Sequence, residues 1–80
     1  MTHDLKTWPE YFAPLLSGVK TAELRRDDRD FVVGDWLQLR EWEPLAREYT
    51  GRVVRKRITH IVRGGIWLAP GYCMLSLGEN

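Results

Sequence analysis

The segment Gly18-Val19-Lys20-Thr21-Ala22-Glu23-Leu24-Arg25 carries two cations, a carboxylate and a hydroxyl in close succession. Lysine offers a compact charge for a phosphate, arginine a planar fork that clamps phosphate or stacks on a base, and glutamate an acceptor for an amine. In an extended chain, alternation places Thr21, Glu23 and Arg25 on one face and Lys20, Ala22 and Leu24 on the other, unless a bulge turns Lys20 back. Glutamate beside arginine on a strand either lines a polar cleft or forms a surface ion pair, and surface pairs are common and contribute little. A second set of cations, Arg52, Arg55, Lys56, Arg57 and Arg63, can track a nucleic-acid backbone. It can equally be a solvated face that discourages edge pairing. Trp36 and Trp42 alternate with Gln38 and Arg40, which suits a stacking platform. Most of the four tryptophans are nevertheless expected in the core, because a small domain has few other large apolar residues.

These residues need elements to position them. His3 to Trp8 alternates loosely and reads as a first strand, followed at Pro9 by a helix running to Ser17. Phe12, Leu15 and Leu16 form its apolar stripe, Pro14 limits it to about two turns, and Gly18 suits its C-terminal cap. Lys20 to Arg25 is a short strand. Arg26 to Asp30 is a charged loop whose opposite charges pair locally, or else a lip over a cleft. Phe31 to Val33 and Gly34-Asp35 make an apolar run and a turn before a strand at Trp36 to Glu43, with Leu37, Leu39 and Glu41 on one face. Pro44 to Thr50 connects it to a long β-rich stretch, Gly51 to Val62, whose length predicts a bend or bulge. Gly64-Gly65 ends that stretch, a loop covers Ile66 to Pro70, and Gly71 to Leu77 forms the last strand. Several short strands and one early helix predict an α+β domain, a small mostly antiparallel sheet curled into a barrel with the helix packed beside it.

Eighty residues supply one hydrophobic core, so residues 1–80 are a single domain. With 44% hydrophobic and 29% charged residues the composition excludes disorder and a membrane span. The net charge of +1 argues against a highly basic nucleic-acid coat protein, yet it conceals a division. Up to Ala46 there are six cations against nine acids; beyond it six cations face only Glu48 and Glu79. The chain is therefore polarised, which permits a basic face. Cys73 alone excludes an internal disulfide and reads as a buried structural thiol. His3 and His60 lack partners at metal-ligand spacing, so no metal or other cofactor is expected. His60 reads as a packed or hydrogen-bonded strand residue, and His3, beside Lys6, as a candidate for the edge of a cleft. The charged N-terminal segment lacks the apolar region of a leader, and a cytoplasmic location is expected.

The octet resembles the Gly-x-Lys-x-x-Glu-x-Arg signature of the ASCH superfamily, whose β-barrel is related to the PUA domain. The resemblance continues through His3-Asp4-Leu5-Lys6, Pro9-Glu10-Tyr11-Phe12, Asp28-Arg29-Asp30-Phe31, Val33-Gly34-Asp35, Leu39-Arg40-Glu41-Trp42, Tyr49-Thr50-Gly51-Arg52, Ile58-Thr59 and Gly71-Tyr72. Together these are similar to a compact ASCH-like family found in bacteria and their phages. The resemblance implies a PUA-like barrel with a cleft beside the helix and Lys20, Glu23 and Arg25 near its floor. It also implies that the cleft binds RNA or a modified nucleotide, with Lys6, Lys20, Glu23, Arg25, Arg40 and Trp42 as ligand-binding candidates. Arg52, Arg55 and Arg57 are the backbone-contact candidates. Some ASCH-like proteins are amidohydrolases acting on acetylated cytidine, in which a threonine three residues after the lysine is the nucleophile. Here that position is Glu23, so Lys20, Thr21 and Glu23 form only an alternative catalytic set. A third alternative is a protein-interaction module using the Trp-bearing face.

Overall fold

The computed structural model describes residues 1–79. Its elements are β1 (Thr2–Thr7), α1 (Pro9–Ser17), β2 (Ala22–Arg26), β3 (Trp36–Glu43), β4 (Glu48–Arg63) and β5 (Tyr72–Gly78). The five strands form one sheet in the order β1-β3-β4-β5-β2. Three of its pairings are antiparallel, as the strand pattern predicts, but β1 pairs with β3 in parallel, with Leu5 opposite Leu39. A parallel neighbour requires a crossover, and the stretch containing α1 and β2 supplies it. The result is a mixed, curled half-barrel, not a sheet closed by backbone hydrogen bonds: β1 and β2 remain its two edges.

Curvature comes from β4. Its first part, through Arg57, pairs with β3, and from Arg57 onward it pairs with β5, with a register shift between Ile58 and His60. The predicted bulge is therefore present, in a strand that begins three residues earlier than the Gly51 start expected from sequence. The same irregularity leaves His60 exposed, where a packed or hydrogen-bonded residue was expected. At β5 the chain passes so close that a Cβ on Gly78 would sit 2.9 Å from Thr59 Cγ2.

Alternation assigns the inner face. His3, Leu5 and Thr7 of β1, Leu37, Leu39 and Glu41 of β3, Lys56 and Ile58 of β4, and Cys73, Leu75 and Leu77 of β5 are all buried. Phe12 and Leu15 of α1 and Phe31 of the loop before β3 are buried with them. None of the four tryptophans belongs to this set. Trp8 and Trp67 are exposed and Trp36 and Trp42 half-buried. The core expectation fails because period-two geometry points Trp36 and Trp42 outward, while Trp8 and Trp67 sit on connections. Leucine, isoleucine and two phenylalanines fill the interior without an indole N–H to satisfy.

The helix begins at Pro9, where a missing N–H costs nothing, and the Trp8 carbonyl accepts from Phe12 N at 2.9 Å. It ends at Gly18, whose φ of 88° is the left-handed cap that a side chain would disfavour. Its nine residues are all apolar or small apart from Glu10, Tyr11 and Ser17, and they lie across the inner face of the sheet beside β3. No helix among the described residues is long and apolar enough to cross a membrane.

Two further expectations change. His3 does not edge a cleft: it is buried, with Nε2 2.8 Å from Asp35 Oδ2 and its ring edge-on to Phe31 at 4.8 Å. The Met1 ammonium and the Val32 N–H also donate to Asp35, and these donors hold its carboxyl below the ordinary 3.8, the His3 bond contributing most. In the 26–30 loop one ion pair is local, Arg29 with Asp28 at 3.9 Å, and the shorter side-chain contacts reach outside the loop. Asp27 receives Arg63 Nε at 2.7 Å and Arg29 donates to the Asp4 carbonyl at 2.8 Å.

Candidate functional site

The open seam of the half-barrel is the site. Beyond Gly18 the chain turns so that Lys20 N donates to the Pro14 carbonyl at 3.0 Å, which ties the start of the signature segment to the helix. Lys20 then folds back, donating to the Ala22 carbonyl and to Glu23 Oε1, both at 2.5 Å. Strict alternation would send Lys20 and Glu23 to opposite faces; the bend before β2 brings them together. Glu23 points inward, 5% exposed, and its other oxygen accepts from Arg25 Nε at 2.8 Å. Arg25 in turn reaches across to the other edge strand, donating to the Lys6 carbonyl at 3.1 Å and to Thr7 Oγ1 at 3.3 Å. One guanidinium thus bridges the two sheet edges where backbone pairing stops.

A cleft of about 880 Å³ opens over this bridge, lined by Lys6, Lys20, Glu23 and Arg25. The three signature side chains do two things at once: they neutralise one another in part, and they leave a floor with one surplus positive charge. Four aromatic residues that sequence reasoning did not assign to a site, Trp8, Tyr11, Trp67 and Tyr72, also line it. Trp67 is 89% exposed and Trp8 47%. Free solvent exposure of an indole is unfavourable, so two of them facing one cleft mark a surface with a use. A signal existed for Trp67: a large aromatic residue directly after Gly64-Gly65-Ile66 sits in a loop, where core packing is out of reach.

The other candidates are distributed elsewhere. Arg40 lies on the outer face of β3 with its guanidinium 3.9 Å above the Tyr49 ring, away from the cleft lining. Trp42 is beside it, edge-on to Tyr49 at 4.9 Å and covered by Lys6 Nζ at 4.0 Å. Lys6 therefore connects the cleft rim to the outer face. Thr21 is exposed and does not line the cleft.

The candidate backbone-contact set divides. Arg55 and Arg57 flank Trp36 on the outer face, at 4.9 and 5.7 Å from its ring centroid. Arg52, three and five residues away, is turned to the inner face, where it grips Glu41 through Nε at 2.9 Å and a second nitrogen at 3.1 Å. Thr50 Oγ1 donates to the same carboxylate at 2.8 Å. Arg52 and Thr50 together hold the Glu41 carboxyl below its ordinary 4.5, and Glu41 raises the Arg52 pKa in return. Lys56 is buried and paired with Glu79, and Arg63 pins the 26–30 loop while donating to the Phe31 carbonyl at 2.5 Å.

Cys73 is buried against the core, and desolvation pushes its thiol pKa up, so it is a packing residue rather than a nucleophile. Among the described residues no three His, Cys, Asp or Glu side chains gather as a metal site would need.

The fold and the seam define a small α+β domain whose half-barrel sheet opens on a largely apolar, aromatic-walled cleft with a charged floor. Residues 2–77 match the family model described as "Domain of unknown function (DUF3850)", and the chain belongs to that family. It is also similar to the "Uncharacterized 12.9 kDa protein in GpA 3'region" of Escherichia phage P2. The two are 41% identical over 79 residues, which cover 96% of this chain and 70% of the phage protein.

Proposed function

We propose that this domain is a PUA-like, ASCH-type barrel that binds RNA, through a nucleotide unit held in the cleft at the seam. The observation that carries the reading is the convergence of Lys20, Glu23 and Arg25 on the floor of a cleft walled by Trp8, Tyr11, Trp67 and Tyr72. A nucleotide presents an anion, a flat apolar ring and polar ring edges. The cleft offers a surplus cation, aromatic faces for stacking, and in Glu23 an acceptor for an exocyclic amine. Arg25 and Lys20 keep donors beyond those spent on Glu23. An RNA ligand sets the protein's work in the cytoplasm and calls for no metal or other cofactor.

Binding is favoured over amide hydrolysis by the surroundings of Lys20. Its amine is engaged by a carboxylate and a carbonyl, with no hydroxyl among its partners, and Thr21 lies outside the cleft lining. A lysine-activated nucleophile needs the two groups in hydrogen-bond reach.

The test is calorimetric and spectroscopic titration of the intact chain with nucleoside monophosphates and short oligoribonucleotides at low salt. Lys20→Ala and Arg25→Ala are expected to weaken binding about tenfold or more, since each deletes a charge-assisted hydrogen bond to the ligand. Each also removes a partner of Glu23, so the titrations are made well below the lowered unfolding temperature of the variants. No binding by the wild type, or binding that both variants retain in full, overturns the reading. Incubation with acetylated cytidine is expected to release no cytidine; turnover abolished by Lys20→Ala would establish the enzyme instead.

A further inference from the structure

The cations of this chain fall into two groups that the sequence does not separate. Lys20, Arg25, Arg52, Lys56 and Arg63 each lie against a carboxylate. Arg29 approaches Asp28 at 3.9 Å. Among the described residues Arg26, at the end of β2, and Arg47, just before β4, lie against no carboxylate, and neither do the four strand cations Lys6, Arg40, Arg55 and Arg57. These four are not scattered. By strand alternation and register they share the outer face of β1, β3 and β4, with Trp36 opposite Arg57, Gln38 opposite Arg55, and Trp42 opposite Tyr49. Each is held over an aromatic ring: Lys6 over Trp42, Arg40 over Tyr49, and Arg55 and Arg57 over Trp36. Asp4 of β1 is the carboxylate that shares this face, and it is outnumbered by these four cations.

A cation stacked on a ring is oriented by the ring yet keeps its N–H donors for another partner. A carboxylate-paired arginine such as Arg52 has spent its fork. The outer face is therefore an array of oriented, unneutralised donors interleaved with flat apolar surfaces. An acidic protein would match the charge, but it would not explain aromatic rings spaced along a strand. A single-stranded nucleic acid presents phosphates and bases in alternation and matches both features.

We propose that the outer face of β1, β3 and β4 is a second binding surface for single-stranded RNA, taking the phosphates and bases that flank the unit bound in the cleft. The inference rests on the cleft reading for its direction. Lys6 belongs to both surfaces, lining the cleft and covering Trp42, so a strand leaving the cleft rim meets Trp42, Tyr49 and Arg40 first and Trp36 with Arg55 and Arg57 last. From Trp42 to Trp36 the strand spans about 20 Å, which accommodates several nucleotides beyond the one in the cleft.

Fluorescence anisotropy on the intact chain, with labelled uridine oligomers of one, three and eight nucleotides over a range of salt, tests this. The octamer is expected to bind at least tenfold tighter than the single nucleotide. Arg55→Ala/Arg57→Ala should remove most of that gain and lower the logarithmic salt slope by roughly 1.4, at ~0.7 for each phosphate of a single strand that is no longer neutralised. Trp36→Ala should weaken the octamer about tenfold through reduced stacking while leaving the salt slope nearly unchanged, and Trp36→Phe should restore part of the affinity. All variants should bind the single nucleotide as the wild type does. Equal affinity for all three lengths, an octamer insensitive to the outer-face variants, or displacement of the octamer by polyphosphate as readily as by RNA overturns the proposal. So does self-association that Trp36→Ala abolishes without weakening the octamer, which would assign the face to a second copy of the chain. Octamer binding that depends on Arg55, Arg57 and Trp36 but not on Lys20 supports the outer face and overturns the cleft reading. The reverse dependence does the opposite.

Discussion

The inner and outer faces of one sheet use the same residue types to opposite ends. On the inner face the cations meet carboxylates, and so do the two at the floor of the seam: Lys20 and Arg25 share Glu23, Arg52 holds Glu41, and Lys56 holds Glu79. These pairs complete the structure where the backbone does not. Arg25 joins the two free sheet edges, and Arg52 ties the projecting end of the β3–β4 hairpin back over Phe12, at 5.0 Å from its ring. On the outer side, Arg40, Arg55 and Arg57 lean on rings and hold no carboxylate among the described residues. Charges on the inner side are consumed by the fold, whereas those on the outer side are left over after folding. Only the second kind is available to a ligand without a cost in stability, and the cleft is where the two kinds meet.

That distinction breaks most readily at Glu23. Glu23→Ala leaves two half-buried cations without their shared partner and is expected to destabilise the domain by about 3 kcal/mol, discounted from the upper range for such losses because both cations retain some solvent. Chemical denaturation measures it, and a loss below about 0.5 kcal/mol would mean that the triad is not structural. Gly78→Ala forces a methyl against Thr59 and should cost about 1–3 kcal/mol, read the same way.

Acid comes next. Asp35 and Glu41 have carboxyl pKa values lowered in the folded state. The unfolded chain therefore binds protons first as pH falls, and the stability these groups contribute is full above their ordinary values of 3.8 and 4.5. It is lost progressively as pH drops through the lowered folded values. The unfolding midpoint should be nearly flat above pH ~5 and fall steeply below pH ~4, and Glu41→Gln should flatten part of that fall. A midpoint indifferent to acid would contradict the role given to these two inner-face carboxylates. The smallest effect belongs to the outer face: Arg55→Ala/Arg57→Ala should change stability by no more than about 0.5 kcal/mol, and a larger loss would place those arginines among the structural pairs.

Much of this architecture is written in local patterns. Proline at position 9 and glycine at position 18 bracket the helix, alternation identifies Leu37, Leu39 and Glu41 as one face, and the length of the strand before Arg63 implies its bulge. The signature segment also marks one wall of the seam. What alternation cannot supply is partnership. Nothing local says that β1 runs parallel to β3, because that depends on where the crossover returns. The aromatic walls stayed hidden for the same reason: Trp8, Tyr11, Trp67 and Tyr72 come from separate places in the chain and meet only in three dimensions. Arg52 is different, since its even position separates it from Arg55 and Arg57 by the period-two rule alone. Treating the basic string as one feature concealed a division that the spacing already contained. The tryptophans carry the converse lesson. Large apolar residues suggest a core, but a half-barrel filled by leucines has no room for them, and they accumulate on the two surfaces where a ligand has access.

The four indoles make the central claim directly measurable. Trp8 and Trp67 report on the cleft, and Trp36 and Trp42 on the outer face. In a nitrogen–proton correlation spectrum, a ribonucleoside monophosphate added to the intact chain is expected to shift the indole signals of Trp8 and Trp67 while leaving those of Trp36 and Trp42 in place, and Lys20→Ala should abolish the shifts. A nucleotide that moves Trp36 or Trp42 instead, or none of the four, would contradict the assignment of the seam as the ligand site.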